Sequence, residues 1–148
     1  MKKSFLIGLV GIFVLTGCFT VDSLRTTQTV DRVCLQSSPA RAHAKVLKIL
    51  TDYAIDQEKM LYDYRKKYNI LKRPWVGKEN YVEDKKIGRD RYEMALVVEN
   101  PMLGKVYGFM VETSRGSGKC RSLVQIKYMN KYWKRGKAKL AQKIRALR

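Results

Sequence analysis

From Arg91 to Met129 the chain alternates apolar and polar residues through three successive runs, and an antiparallel sheet is the arrangement that accepts such a pattern. In the first run Tyr92, Met94, Leu96 and Val98 interleave with Arg91, Glu93, Ala95 and Val97. The second, Val106 to Thr113, repeats the period through Tyr107, Phe109 and Val111. The third, Cys120 to Met129, places Val124, Ile126 and Tyr128 on one side. Asn100 to Gly104 and Ser114 to Gly118 read as turns between them. A three-stranded meander follows.

The flanking segments supply the layers that such a sheet needs. Residues 28–35 alternate as a further, first strand. Ser37-Ser38-Pro39 then offers an N-cap followed by proline at the first helical position, where its missing N–H costs nothing. Val46, Leu47, Leu50, Tyr53 and Ala54 recur at helical spacing. Beyond Asp56 two periods compete: Leu61, Tyr64 and Tyr68 extend the helix, Met60, Tyr62 and Tyr64 alternate, and the helix is preferred. Residues 70–90 hold Pro74, Gly77, Gly88 and many charges, which predicts mainly loop with a short strand near Asn80 to Val82. Leu140, Ala141, Ile144 and Leu147 mark a closing helix that begins at Gly136 or as early as Asn130. The expected fold is α+β: one domain over residues 28–148, an antiparallel sheet packed by an N-terminal and a C-terminal helix.

In front of that domain stands an address. Met1-Lys2-Lys3-Ser4 is basic, Phe5 to Leu15 is apolar, and Leu15-Thr16-Gly17-Cys18 closes the segment. The apolar run falls short of the roughly 20 residues that a membrane-spanning helix requires, so residues 1–17 read as a cleaved signal peptide. Leu-Thr-Gly-Cys directly after the apolar run resembles the lipobox of bacterial lipoproteins. The resemblance implies diacylglyceration of the Cys18 thiol, cleavage after Gly17 and acylation of the new amine by a chain such as palmitate. Several chains on one residue anchor firmly, whereas one anchors only marginally. Phe19 in place of Asp implies, by the same resemblance, the outer membrane over the inner one, with the domain facing the periplasm. Residues 18–27 then read as the lipidated cysteine and a polar, irregular tether.

With Cys18 assigned to lipid, Cys34 and Cys120 remain, an even number in an oxidising compartment. A disulfide is the economical reading; two separate buried thiols are the alternative. Closing so long a loop stabilises by about 4–5 kcal/mol in the chain-entropy picture. The order of elements over residues 28–148 resembles a helix-grip domain of the START-like type, or its relatives among outer-membrane assembly lipoproteins. That likeness implies antiparallel pairing of the first strand with the last, which sets Cys34 beside Cys120. The stretch between helix and meander is short for a full helix-grip sheet, which argues against a large cavity.

Removing Lys2 and Lys3 with the leader leaves 29 basic against 13 acidic side chains, +16 in all. Half of that excess lies in residues 131–148, where Lys131, Lys134, Arg135, Lys137, Lys139, Lys143, Arg145 and Arg148 occur without one acid. Interleaved with Tyr128, Tyr132 and Trp133, such a stripe suggests nucleic acid in a cytosolic protein; behind a signal peptide that partner is excluded. Anionic phospholipid, lipid A phosphates, the carboxylates of peptidoglycan, or a protein complex of the envelope are the partners expected. A solvated charged helix face is the plainer alternative.

Catalytic and metal patterns fail when tested. Arg115-Gly116-Ser117-Gly118-Lys119 lacks the first glycine of a phosphate-binding loop, since Thr113 stands there, and has Cys120 where Ser or Thr must follow the lysine. It reads as a hairpin turn. His43 sits between Arg41 and Lys45 with no Cys, Asp or Glu at ligand spacing, so neither metal site nor cofactor is expected. Asp52, Asp56 and Glu58 could form a carboxylate pair for hydrolysis, but Asp52 and Asp56 at i, i+4 on a basic protein read more plainly as balancing local charge. The expectation is a non-enzymatic, lipid-anchored envelope protein that binds or scaffolds through its basic surface. The alternatives are a carrier holding an apolar ligand or lipid against Tyr107, Phe109, Val111 and Tyr128, an envelope hydrolase, and a surface-exclusion lipoprotein.

Overall fold

Each alternating run needs a partner on either side, and the chain supplies them. In the computed structural model, which describes residues 21–26, 30–68, 80–100, 104–128 and 134–148, five strands form one antiparallel sheet. They are β1 (Val30–Leu35), β2 (Asn80–Gly88), β3 (Arg91–Asn100), β4 (Gly104–Arg115) and β5 (Ser122–Lys127), in the spatial order β1-β5-β4-β3-β2. The meander runs from β2 to β5, and β1 lies beside β5 with Val33 opposite Val124. First and last strands therefore pair antiparallel, and Cys34 is bonded to Cys120 with the two Cα atoms 5.4 Å apart.

Three helices accompany the sheet: α1 (Val21–Thr26), α2 (Pro39–Lys67) and α3 (Lys134–Arg145). Ser38 precedes α2 in extended conformation, and its carbonyl accepts from the Ala42 N–H at 2.8 Å. Its side chain makes no capping bond. Through the stretch where two periods compete the helix wins, because Gln57, Glu58, Lys59, Met60 and Leu61 are all good helix formers. Arg65, Lys66 and Lys67 then complement the negative end of the helix dipole.

One face of the sheet carries the main core. Val33, Leu35, Met94, Leu96, Phe109, Val111, Val124 and Ile126 meet Ala42, Val46, Leu50 and Tyr53 of α2 and Leu140, Ala141 and Ile144 of α3. Burying a large apolar side chain of this kind stabilises by about 1.5–3 kcal/mol. At Gly136 α3 closely approaches the core: a Cβ there would collide with the Tyr53 hydroxyl and lie 2.9 Å from Phe109 Cζ. Only glycine lets α3 sit so deep.

The residues between those core positions point to the other face. There Ala95, Val97 and Met110 are buried, and α1 packs on β4 with Leu24 only 1% exposed. The two faces thus carry different helices.

Three expectations need correction. The irregular tether of residues 18–27 contains a packed helix, α1; six residues are too few for a visible helical period, and Leu24 is its one described core residue. The loop expected over residues 70–90 contains the nine-residue strand β2. Its run Glu83-Asp84-Lys85-Lys86 hides the alternation, because an edge strand tolerates charge on both faces. Finally, the register slips between Leu96 and Val97: Leu96 faces Phe109 while Val97 faces Tyr107, so Gly108 is passed over. This bulge turns Tyr107 to the α1 side, away from Phe109 and Val111.

Candidate functional site

The cationic segment folds as a helix because its charges alternate with Leu140, Ala141 and Ile144, which anchor it inward. Lys139, Lys143, Arg145 and Arg148 are exposed. Lys143 and Arg145 also lie in the last turn, where a cation favours the helix C-terminus. Lys131 and the side chains of Lys134 and Arg135 fall outside the described residues.

Lys137 departs from the stripe. Its Nζ lies 2.8 Å from Asp31 Oδ2, donates to the Tyr128 hydroxyl at 3.2 Å and stands 4.4 Å from the centre of that ring. The side chain is 13% exposed. Bonding to Asp31 raises its pKa above the usual lysine value, with burial opposing and Tyr128 adding a smaller upward push. Lys137 is therefore a link between α3 and β1. The signal was in the spacing, since Lys137 stands three residues before Leu140 and four before Ala141, on the inward side of the helix.

The residues considered for an apolar ligand do not surround one space. Phe109 and Val111 are fully buried in the packed cluster, with Phe109 edge-on to Tyr53 at 5.7 Å between ring centres. Tyr128 borders that cluster and holds Lys137. Tyr107 lies across the sheet and donates to Glu83 Oε2 at 3.2 Å. An apolar cavity of about 450 Å³ does occur, lined by Ile55, Glu58, Lys59 and Tyr62 on the second half of α2. That is a different place from the interface between sheet and α3.

Residues 115–119 form the turn between β4 and β5, closed by the Cys120 N–H donating to the Ser117 carbonyl at 3.0 Å, with Gly118 at φ +57°. An open polar cavity of about 470 Å³ adjoins it, bordered by Ser38, Pro39, Arg115 and Arg121. Asp90 shares the lining, so the cavity mixes both signs of charge.

His43 is packed against the sheet, stacked on Tyr92 with ring centres 4.3 Å apart and its Nε2 3.2 Å from Asp84 Oδ2. Its Nδ1 is buried without a hydrogen-bond partner. Asp52 is exposed and bonded to Lys48 at 2.9 Å, Asp56 is exposed, and Glu58 is buried on another side of α2. These carboxylates do not converge. Among the described residues no three His, Cys, Asp or Glu side chains are grouped to hold a metal, and no helix is long and apolar enough to cross a membrane.

No family model, curated protein or solved structure matches this chain.

Proposed function

We propose that this chain is a lipid-anchored protein of the cell envelope, held in the outer membrane through Cys18, and that it acts by binding. Its exposed cationic helix face engages an anionic component of the envelope. The observation that carries this reading is the division of α3: Leu140, Ala141 and Ile144 are buried, Lys139, Lys143, Arg145 and Arg148 are exposed, and no acid occurs in residues 131–148. The bonded pair Cys34 and Cys120 supports an oxidising compartment. Near an anionic surface each such cation contributes about 1 kcal/mol.

Crosslinking in native envelopes followed by capture of the lipidated protein tests the proposal. Changing Lys139, Lys143 and Arg145 together to Glu leaves the core face of α3 and the Lys137 link untouched. The captured partners should be lost. An unchanged set of partners would contradict a role for this surface.

A further inference from the structure

α1, which follows Cys18 in the sequence, and the cationic α3 lie on opposite faces of the sheet. Cys18 precedes Val21, where α1 begins, by three residues. A fully extended chain covers at most about 3.6 Å per residue, so an acylated Cys18 stays within about 11 Å of that helix. α1 is itself fixed to the domain. Leu24 is buried, Arg25 grips Glu93 with bonds of 3.0 and 2.7 Å, and Lys127 donates to the Arg25 carbonyl at 3.4 Å. The side of the sheet that carries α1 is therefore the side brought to the leaflet.

Charge is distributed to match. On the α1 side Arg25, Arg91, Lys105 and Lys127 are held by Glu93, Glu112 and Glu83 at 2.7 to 3.7 Å, and exposed Arg32 and Lys85 on that face are offset by exposed Asp22 and Glu99, which leaves it close to balance. α3 lies on the other face, where Lys137 meets Asp31 beside the core. With helices about 10–12 Å across and layers about 10 Å apart, the outward cations of α3 stand on the order of 30 Å from the leaflet. The Debye length at physiological salt is about 8 Å. At that distance the anchoring leaflet cannot attract them.

We infer that the cationic face of α3 is presented away from the bilayer that holds the anchor, to the carboxylate-bearing polymer in front of it, the peptide-crosslinked cell wall. The inference rests on the proposed lipidation of Cys18 and on α3 being a binding surface. A repeating polymer suits this geometry, because Lys139 and Lys143 repeat one turn apart on a rigid helix and engage successive carboxylates together.

The test uses the full lipidated protein in two states, in detergent and in vesicles of phosphatidylethanolamine and phosphatidylglycerol. A membrane-impermeant lysine acylating reagent should label Lys85 and Lys105 at least fivefold more slowly in vesicles than in detergent, with Lys139 and Lys143 unchanged. Vesicles bearing the protein should co-sediment with purified cell-wall sacculi. K139E/K143E/R145E should reduce that retention at least tenfold, while K139R/K143R should preserve it. Slower labelling of Lys139 and Lys143 with Lys85 unchanged would overturn the orientation. So would binding of sacculi in detergent that disappears in vesicles, although binding through α3 would then stand. Failure to bind sacculi in either state would overturn the choice of cell wall, and retention of the partners captured in native envelopes would separate that failure from failure of the binding surface itself.

Discussion

Arg25 of α1 grips Glu93 of β3, its Nε and one terminal nitrogen reaching the two carboxylate oxygens at 3.0 and 2.7 Å. Glu93 is 10% exposed, and this two-point contact satisfies it where water cannot reach freely. The contact also fixes α1, the helix that begins three residues after Cys18, the proposed anchor. Replacing Arg25 with Ala should lower stability by about 1–2 kcal/mol, since a carboxylate in a shielded position then loses its partner. Leu24→Ala should cost about 2–3 kcal/mol through the cavity it leaves. Urea unfolding of the two variants checks both values; midpoints equal to the parent protein would mean that α1 is not docked.

Alkaline stability should depend on Lys137. Its folded pKa is raised by Asp31, so the stabilisation is fully present below the unfolded value of about 10.4 and is lost as pH rises through the folded value. Stability should be level from pH 8 to about 10 and decline above. In Lys137→Met the part of that decline due to this pair should vanish, at a cost near neutrality of about 1–3 kcal/mol from the unpaired Asp31. Unfolding midpoints measured across pH 8 to 11.5 for both proteins decide this.

Gly136 should reverse the usual rule for helices. Glycine to alanine inside a helix normally stabilises by about 1 kcal/mol. Here the added methyl meets the Tyr53 hydroxyl and Phe109 Cζ, both on rigid rings in the core, and overpacking of this kind costs about 1–3 kcal/mol. Gly136→Ala is therefore expected to lower the thermal midpoint, and a rise would show that α3 lies further from the sheet.

The bond between Cys34 and Cys120 ties β1 to the turn that leads into β5. Replacing both cysteines with Ser should cost about 2–5 kcal/mol. A reducing agent should lower the midpoint of the parent protein and leave the double variant unchanged. Equal sensitivity in both would contradict the pairing.

Much of this architecture was legible from residue patterns, and its exceptions have physical reasons. The strands β3, β4 and β5 alternate plainly because one face of each meets a dry core, and Ser38-Pro39 marks the start of α2 through backbone geometry alone. β2 was obscured because Glu83 and Asp84 serve opposite faces, one bonded to Lys105 and the other to His43. α1 escapes a periodicity reading because six residues are too few to show a helical period, and Leu24 is its one described core residue. Alternation groups Tyr107 with Phe109 because it cannot register a bulge, and Gly108 is the hint it passes over. Charge alone groups Lys137 with the exposed cations, although its spacing from Leu140 puts it on the inner side, where it meets Asp31.

The central claim concerns the thiol of Cys18, three residues before α1 in the sequence, and the mass of the mature N-terminal peptide tests it most directly. Protein extracted from membranes should begin at Cys18 and carry a diacylglyceryl group with a further acyl chain. A chain that retains Met1 with an unmodified Cys18 would contradict the anchor and, with it, the orientation derived from α1.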